Sequence, residues 1–274
     1  GFTETRLTRL RAPHAHLVEA QVPAGEMLTI EDLAIAWADD GEDRQGEYLF
    51  QSDGLVVTGG RVALRGCRLA GSAREQERSN DMYGGSGLRV SEDGEVQATG
   101  CEIADHGGHG VTVGDRATLT LADCWVTGNR GMGLLAEGEA TVEARQTAFA
   151  SNARSGVAAF DATALTLVGA VIQANGRGGV RFDTSPAGRL EGCTIEENRG
   201  PGVEIATGTL AIAGGTIRGN SGDGLAVAPR SHVTAADMVI EANRGFGVAV
   251  GPDGRIELSA VAIFGNARGD LERA

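Results

Sequence analysis

The sequence contains no lysine, few aromatic residues and no long apolar run. Its 24 basic side chains are therefore all arginines, and 37 carboxylates outnumber them, for a net charge of −13. A chain this acidic is a poor candidate for binding nucleic acid or an anionic membrane. Aromatics make up only 4% of the residues, so the core must be thin and built from small aliphatic side chains. Without an apolar run of about 18 residues or more, no transmembrane helix is predicted.

Cysteine is also scarce, and no pair has the C-x-x-C spacing of redox or zinc motifs. The positions of three of the four cysteines differ by 23 or by three times 23. Other places at the same spacing carry Thr, Ala, Gly, Met and Val, so this is predicted to be a small buried position and not a metal or redox site. The cysteines are Cys67, Cys101, Cys124 and Cys193.

Glycine is abundant, at 43 of 274 residues, and some of it recurs at a fixed distance after asparagine. Six regularly spaced asparagines lie four positions before a glycine, and a seventh has Asp270 at that place. The positions of successive asparagines differ by 22 or 23, and a fixed period of this size indicates a solenoid. The seven are Asn129, Asn152, Asn175, Asn198, Asn220, Asn243 and Asn266.

Each period contains three short segments in which apolar residues alternate with others. In one coil these lie at 134–136, 142–144 and 147–149. Period two is the spacing of β-strands, and Gly, Asn and Asp separate the segments as turns. We therefore predict an all-β solenoid, a parallel β-helix of about ten coils of about 22–23 residues. Each coil would contribute three short strands, paired in parallel with those of the coils before and after it.

The asparagines are predicted to form an internal ladder at one turn of the coil. Their amides can bond the turn backbone and one another along the stack, at roughly 1 kcal/mol per bond. Counting back by 23 from Asn129 places His106 and Tyr83 at the same position in two earlier coils. The ladder residues are thus expected to be structural and not catalytic.

Two insertions interrupt the period near the N-terminus. The step from Leu33 to Cys67 and the step from Cys67 to Cys101 are both 34 in residue number, eleven more than the period. The extra residues lie at 37–53 and 72–82, both at the asparagine turn. Insertions of this kind map to one side of a solenoid and are often its binding face.

The chain is divided accordingly into three parts. Residues 1–27 fit the period poorly and are predicted to be an irregular N-terminal coil or cap that covers the open end of the core. Residues 28–270 form a single β-helix domain that carries both inserted loops, and 271–274 are a short charged tail. Because the sequence begins at Gly1 and not at Met, we expect a processed or trimmed product, with a neighbouring domain before Gly1 left open.

The period and its N-x-x-x-G-[VL] turn resemble the right-handed parallel β-helix repeats of the pectin lyase-like superfamily. The likeness is greatest to the bacterial group of carbohydrate-binding proteins and sugar hydrolases, and it covers about residues 28–270. It implies a right-handed helix, a polysaccharide or protein partner, and an extracellular or periplasmic location in preference to a cytoplasmic one. It does not specify a function, because members include lyases, hydrolases, epimerases, adhesins and non-catalytic modules.

One tripeptide matches a catalytic motif of this superfamily. Gly108-His109-Gly110 corresponds to the G-H-G of pectin-cleaving glycoside hydrolases, which also carry acidic pairs one and two coils earlier. Those places hold Ser86 and Ala63 here, with no acidic pair near either. Hydrolysis without two carboxylates lacks its acid and its base, which argues against this activity.

A candidate ligand site is predicted where the third strands of three consecutive coils lie side by side. Arg68, Glu102 and Trp125 occupy one outward position there, beside the inserted loops. A tryptophan face stacks on sugar rings, and arginine grips carboxylates with two hydrogen bonds. An alternative is that Trp125 packs under the second loop. The other candidate ligand-binding residues, from the turn and the loop, are Asp105, His109, Arg130, Arg74 and Asp81.

Two functions remain open, and the sequence favours the first. One is a rigid binding module that recognises a polysaccharide or a protein partner, without cofactor or metal, through its loop-bearing N-terminal coils. The other is a lyase or C5-epimerase acting on an acidic, uronate glycan. That chemistry needs the uronate charge neutralised, by Ca²⁺ or by Arg68 or Arg78, and a base, His106 or Tyr83. The absence of lysine and of an outward cluster of aspartates argues against it.

Overall fold

The computed structural model describes residues 4–7, 18–20, 27–32, 34–36, 53–71, 85–184 and 186–273. Within these ranges the regular structure consists entirely of short β-strands, arranged as three parallel sheets. The described part of the chain contains no helix long and apolar enough to cross a membrane. The chain is thus a parallel β-helix, as predicted.

The strands are numbered β1 to β32 in chain order and contribute to the three sheets in rotation. Sheet 1 follows the asparagine turn and contains β2 (Val18–Ala20), β5 (Leu55–Thr58), β8 (Leu88–Ser91), β11 (Val111–Val113), β14 (Leu134–Ala136), β17 (Val157–Ala159), β20 (Val180–Phe182), β23 (Val203–Ile205), β26 (Leu225–Val227), β29 (Phe246–Val250) and β32 (Gly269–Arg273). Sheet 2 contains β1 (Glu4–Leu7), β3 (Met27–Glu31), β6 (Arg61–Arg65), β9 (Glu95–Thr99), β12 (Thr118–Ala122), β15 (Thr141–Arg145), β18 (Ala164–Val168), β21 (Ala187–Glu191), β24 (Thr209–Ala213), β27 (His232–Ala236) and β30 (Arg255–Ser259). Sheet 3 precedes the asparagine turn and contains β4 (Ala34–Ala36), β7 (Arg68–Ala70), β10 (Glu102–Ala104), β13 (Trp125–Thr127), β16 (Ala148–Ala150), β19 (Val171–Gln173), β22 (Thr194–Glu196), β25 (Thr216–Arg218), β28 (Val239–Glu241) and β31 (Ala262–Phe264).

Equivalent residues of successive coils pair in register. Leu134 pairs with Val157, and Val157 with Val180, each step being one full period of the sequence. With 10 or 11 strands in each sheet, the stack agrees with the prediction of about ten coils. The period therefore determines which strands are neighbours.

The core is a narrow column of small aliphatic side chains. Alternate residues of each strand point inward, and the largest fully buried side chains are Phe149 and Phe182, followed by leucines and isoleucines. The free cysteines Cys101 and Cys124 are buried in this column, at 0% and 1% exposure. The Cys124 thiol lies 3.2 Å from the carbonyl oxygen of Ala122 as a weak donor. The predicted small buried position is confirmed.

Each coil turns three corners, and at most of the described corners one residue has positive φ. In one coil these are Asp115, Asp123 and Gly128, with φ of 55°, 53° and 69°. Left-handed backbone is accessible to glycine at low cost and to Asp and Asn more readily than to other residues. Most of the residues that bend the chain are therefore Gly or Asp, although others, such as Gln146 and Ala174, adopt the same backbone conformation.

The asparagine ladder lies inside the third corner, as predicted. The side-chain oxygen of Asn175 accepts hydrogen bonds from the backbone N–H and the side-chain amide of Asn152, at 3.0 and 3.1 Å. Its own amide donates to Phe149 O at 3.0 Å and to the side chain of Asn198 at 2.9 Å. The bonds between adjacent asparagines recur from Asn129 to Asn266. With the bonds to the backbone, they satisfy buried N–H and C=O groups of the turn, which lie outside the sheets and cannot pair there.

Both insertions fall between a strand of sheet 3 and the next strand of sheet 1, namely between β4 and β5 and between β7 and β8. Residues 37–52 and 72–84 lie outside the described residues. At the N-terminus, β1 pairs with β3 and β2 with β5, so strand pairing also occurs within the segment predicted as a cap. At the other end, β32 pairs with β29 and includes most of the predicted tail.

Candidate functional site

The predicted row of outward side chains is present on sheet 3. Strand pairing places Glu102 opposite Arg68 on one side and opposite Trp125 on the other. Trp125 is 52% exposed, the largest exposed apolar side chain among the described residues. The Arg68 Nε lies 3.0 Å from a carboxylate oxygen of Glu102. We call these three residues the tryptophan row.

The tryptophan row joins an aromatic face to a charge pair. Because Arg68 and Glu102 are both substantially exposed, their ion pair adds little to stability. Both groups keep hydrogen-bonding capacity toward solvent, next to an indole ring that is about half exposed. A polar pair beside an open aromatic face can bond the hydroxyls of a sugar whose ring stacks on the indole.

Beyond Trp125 the same outward position holds only small residues. Ala148, Val171 and Thr194 follow it coil by coil along the sheet. A flat surface of this kind gives no hold on a ligand by itself. Farther along sheet 3 the neighbouring outward position carries the Arg218–Glu196 pair, whereas the tryptophan row lies at the N-terminal coils, where the inserted segments also begin.

Two of the predicted turn residues lie beside this row. Asp105 follows β10, with φ of 60°, and its N–H donates to Thr127 O at 3.1 Å. Arg130 lies one coil further on, and its N–H donates to His106 O at 2.9 Å. The other two ligand-binding candidates, Arg74 and Asp81, lie outside the described residues. The same is true of Arg78 and Tyr83, which the enzyme alternative required.

His106 is inside the coil, at 2% exposure. Its backbone N–H donates to the side chain of Asn129 at 3.0 Å, and its Nε2 lies 3.1 Å from Leu69 O. Burial lowers the pKa of the imidazole, so the ring is neutral. It occupies the ladder position, as the period predicts. From there it has no route to an outer surface, which does not support the role of base given to it by the enzyme alternative.

His109 makes a side-chain hydrogen bond between coils that the sequence analysis missed. Its Nδ1 accepts the backbone N–H of Met132 in the next coil, at 2.9 Å. Asp53 accepts the N–H of Ser86 in the same way at 2.6 Å, and Asp223 that of Phe246 at 2.7 Å. All three lie two positions before the first residue of a strand of sheet 1. Aligning the sequence at its period would have shown a hydrogen-bond acceptor recurring at this position.

The environment of His109 keeps its ring neutral. Burial lowers the pKa to about 4, and the nearby guanidiniums of Arg154 and Arg89 act in the same direction, with Asp53 opposing them. A neutral ring whose Nδ1 accepts a hydrogen bond carries its proton on Nε2. His109 is thus a donor on its free side, which suits hydrogen bonding more than proton abstraction.

Arg89 borders a groove on the outer face of sheet 1. The guanidinium is held by Asp53, with Nη2 3.2 Å from Oδ1 and a second, shorter contact from Nε to Oδ2. The groove encloses about 300 Å³, and the acidic residues Asp115, Glu137 and Asp161 line its far side. No group of three or more His, Cys, Asp or Glu residues in the described ranges is placed to hold a metal ion.

The acidic side of the groove lies along the corner between sheets 1 and 2, where side chains of one coil accept backbone N–H groups of the preceding coil. A carboxylate oxygen of Asp115 accepts the N–H of Glu92 at 2.9 Å, and Asp161 accepts that of Gly138 at 3.1 Å. In the next coil the Thr184 hydroxyl accepts the N–H of Asp161 at 2.6 Å. These acids support the corner backbone, so the groove is not assigned as a site.

The fold and the repeat identify the family. Residues 86–227, just over half of the chain, match the family described as right handed beta helix region. The chain belongs to the right-handed β-helix family. This confirms the resemblance to the pectin lyase-like superfamily that the repeat motif indicated. No curated protein matches the sequence.

Several solved structures have the same fold at low sequence identity. The periplasmic alginate epimerase AlgG aligns over 90% of this chain and 68% of its own, with a TM-score of 0.63 and 10% identity. The A-module of the Azotobacter vinelandii mannuronan C-5 epimerase AlgE4 aligns over 99% and 88%, with 0.61 and 14%. Pectate lyase Pel9A aligns over 91% and 70%, with 0.59 and 14%. At such identities the likeness concerns the fold alone.

Proposed function

We propose that this right-handed β-helix is a rigid glycan-binding module whose ligand site is the tryptophan row. The observation that carries the proposal is the exposure of Trp125, 52%, at an outward position that only small residues occupy in the later coils of the sheet. Stacking of the indole against a sugar ring removes apolar surface from water. That burial stabilises the complex relative to the free protein, in which the indole is exposed.

The partners of Trp125 favour a sugar over a protein surface. Glu102 and Arg68 extend the site along the stack, each about 4.8 Å from the last at the usual strand spacing. They supply acceptors and donors in a line, which suits successive hydroxyl groups of a linear chain. Three similar solved structures are enzymes that, by name, act on alginate, mannuronan or pectate. This supports a polysaccharide ligand, and with it an extracellular or periplasmic location.

The alternative of a lyase or epimerase has no specific observation in its favour. Of the residues it required, His106 is enclosed in the ladder, and Arg78 and Tyr83 lie outside the described residues. We therefore do not advance it as a second function. It stays testable, because a lyase would release unsaturated uronates that absorb in the ultraviolet, and an epimerase would change the proton NMR spectrum of the polymer.

The test is binding to a glycan array, followed by titration calorimetry with the best oligosaccharide. Trp125→Ala should weaken binding at least about fivefold, since stacking on one ring contributes on the order of 1 kcal/mol or more. Val239→Ala is the matched control, because it shortens an apolar side chain at the same outward position five coils away.

The control should bind like the unchanged protein. Equal affinity of Trp125→Ala and the unchanged protein, or equal losses in both variants, would refute the tryptophan row as the site. If the protein binds no glycan on the array, and the assays with uronate polymers are also negative, the proposed function itself is refuted.

A further inference from the structure

Arginines recur along the outside of the asparagine turn. In six of the seven coils from Asn129 to Asn266, one of the two residues that follow the ladder asparagine is an arginine. The backbone of this turn is hydrogen-bonded from coil to coil, for example from Arg177 N to Arg154 O at 3.2 Å. The side chains therefore project from adjacent layers of one edge. We call this edge the arginine ridge: Arg130, Arg154, Arg177, Arg199, Arg244 and Arg268.

The arginines of the ridge differ from those of the sheets in their ion pairing. Most arginines on the described sheet strands are neutralised by an acid on the same or the adjacent strand, as Arg218 is by Glu196 at 2.7 Å. Five members of the ridge have no acid of the described residues within ion-pair distance; they are Arg154, Arg177, Arg199, Arg244 and Arg268. The sheet pairs are those of Arg61, Arg65, Arg68, Arg89, Arg145, Arg181, Arg189 and Arg218.

The acids near the ridge are few and mostly engaged. Asp223 accepts the N–H of Phe246, and Asp270 accepts from the amide of Asn266 at 3.3 Å. Glu197 is exposed next to Asn198. One ridge member has an internal partner of another kind, since the Arg268 guanidinium lies 4.5 Å from the centre of the Phe246 ring.

Charge is thus segregated around the coil. The corner between sheets 1 and 2 carries eight acids and few arginines, of which Arg116 is paired with Asp93 at 2.9 Å. In a chain of net charge −13, the ridge is a local positive edge, and sheet 1 separates it from an acidic one. The acids of that acidic corner are Glu92, Asp93, Asp115, Glu137, Glu139, Asp161, Asp183 and Asp253.

We infer that the arginine ridge binds a linear polyanionic glycan, one that carries a carboxylate on each sugar. Six coil steps of about 4.8 Å make the ridge roughly 29 Å long. It presents about one guanidinium per coil, and guanidinium forks bind carboxylates with two parallel hydrogen bonds. The inference goes beyond the proposed function, because the ridge is a different surface from the tryptophan row.

The spacing of charges favours a polyuronate over a nucleic acid. Duplex DNA carries a charge about every 1.7 Å of its axis, which is much denser than one arginine per coil. Single-stranded nucleic acids are also bound through stacked aromatic side chains. On the ridge the nearby ring, Phe246, is covered by Arg268. The acidic remainder of the surface would repel the denser polymer more strongly.

The test compares two triple variants of equal charge. Arg177→Gln with Arg199→Gln and Arg244→Gln removes three exposed charges from the ridge. Arg116→Gln with Arg230→Gln and Arg255→Gln removes three exposed charges elsewhere. Binding of polymannuronate, dextran and single-stranded DNA of similar length is measured at low and high salt by fluorescence anisotropy.

We expect salt-dependent binding of polymannuronate, weakened at least about tenfold in the ridge variant and less than about twofold in the control. Equal losses in the two variants would overturn the inference, because they would reflect net charge alone. Preference for DNA, or no loss in the ridge variant, would overturn it as well. Since Trp125 is unchanged in both variants, dextran or neutral-glycan binding reports on the tryptophan row separately.

Discussion

The Nε2 of His106 lies 3.1 Å from the carbonyl oxygen of Leu69, where the amide of Asn129 makes the equivalent bond to Ile103 one coil later. An imidazole therefore replaces a carboxamide in the ladder and directs its nitrogen to the same backbone group. The two side chains share one task, which is to satisfy a carbonyl of the preceding coil from inside the turn.

His106→Asn should therefore leave the fold intact, with a change of less than about 1 kcal/mol in the free energy of unfolding. Asparagine supplies the same donor and restores the acceptor found in the later coils. His106→Leu keeps the volume but leaves Leu69 O unbonded, and should cost roughly 1–3 kcal/mol. Urea denaturation measures both. A loss with Asn as large as with Leu would contradict the ladder assignment.

Protonation of His109 should make the protein less stable in acid. The folded-state pKa of about 4 is below the ordinary 6.5 of the unfolded chain. Above pH 6.5 both states are neutral, and between 6.5 and 4 the unfolded state alone gains the proton. The stability due to the neutral ring is then lost as pH falls through this window, by as much as roughly 3 kcal/mol. Below pH 4 the loss is complete.

His109→Asp is the informative variant, because Asp53 and Asp223 already make the same bond in other coils. The aspartate can accept the Met132 N–H without a proton to gain in that window. The difference in unfolding free energy between variant and unchanged protein should grow in favour of the variant as pH falls from 6.5 to 4. A difference independent of pH would show that His109 does not titrate as described.

Asn175→Ala should cost about 3 kcal/mol or more. The substitution removes four hydrogen bonds and leaves Phe149 O and Asn152 N–H buried without partners. Asn266→Ala is the matched control at the end of the ladder. Asn266 is partly exposed, so water can replace its bonds and the loss should be smaller. Thermal unfolding of both variants measures the difference, and similar losses would mean that position in the ladder is unimportant.

Gly156→Ala should destabilise by roughly 1–3 kcal/mol through overpacking. A Cβ at this residue would lie 2.5 Å from the Ile172 side chain and 2.8 Å from the Asn175 amide. At Gly114 a Cβ would meet only the end of Glu137, at 3.9 Å, so Gly114→Ala should change stability by about 0.5 kcal/mol or less. Equal effects would show that the glycine four residues after each asparagine is not needed for space.

Much of this fold was predictable because a period in the sequence becomes a contact in space. Once Asn152 and Asn175 are known to be equivalent, parallel pairing places them in adjacent coils, and the ladder follows. The same logic placed Arg68, Glu102 and Trp125 in one row. The sequence did not predict that His109 would use its Nδ1 to accept the N–H of Met132 in the next coil.

The sequence by itself determined the coil: its period, its three strands, the register between layers and the inward asparagines, because each of these is a local pattern repeated at a fixed interval. Only the tertiary structure decided how the charges are shared. Arg218 meets Glu196 across a sheet, whereas Arg177 and Arg199 extend from a turn without an acid within reach in the described structure. Ion pairing depends on distances of a few ångströms between the charged groups of side chains in different coils. The period of the sequence determines which residues are neighbours, but it does not determine the positions of these charged groups.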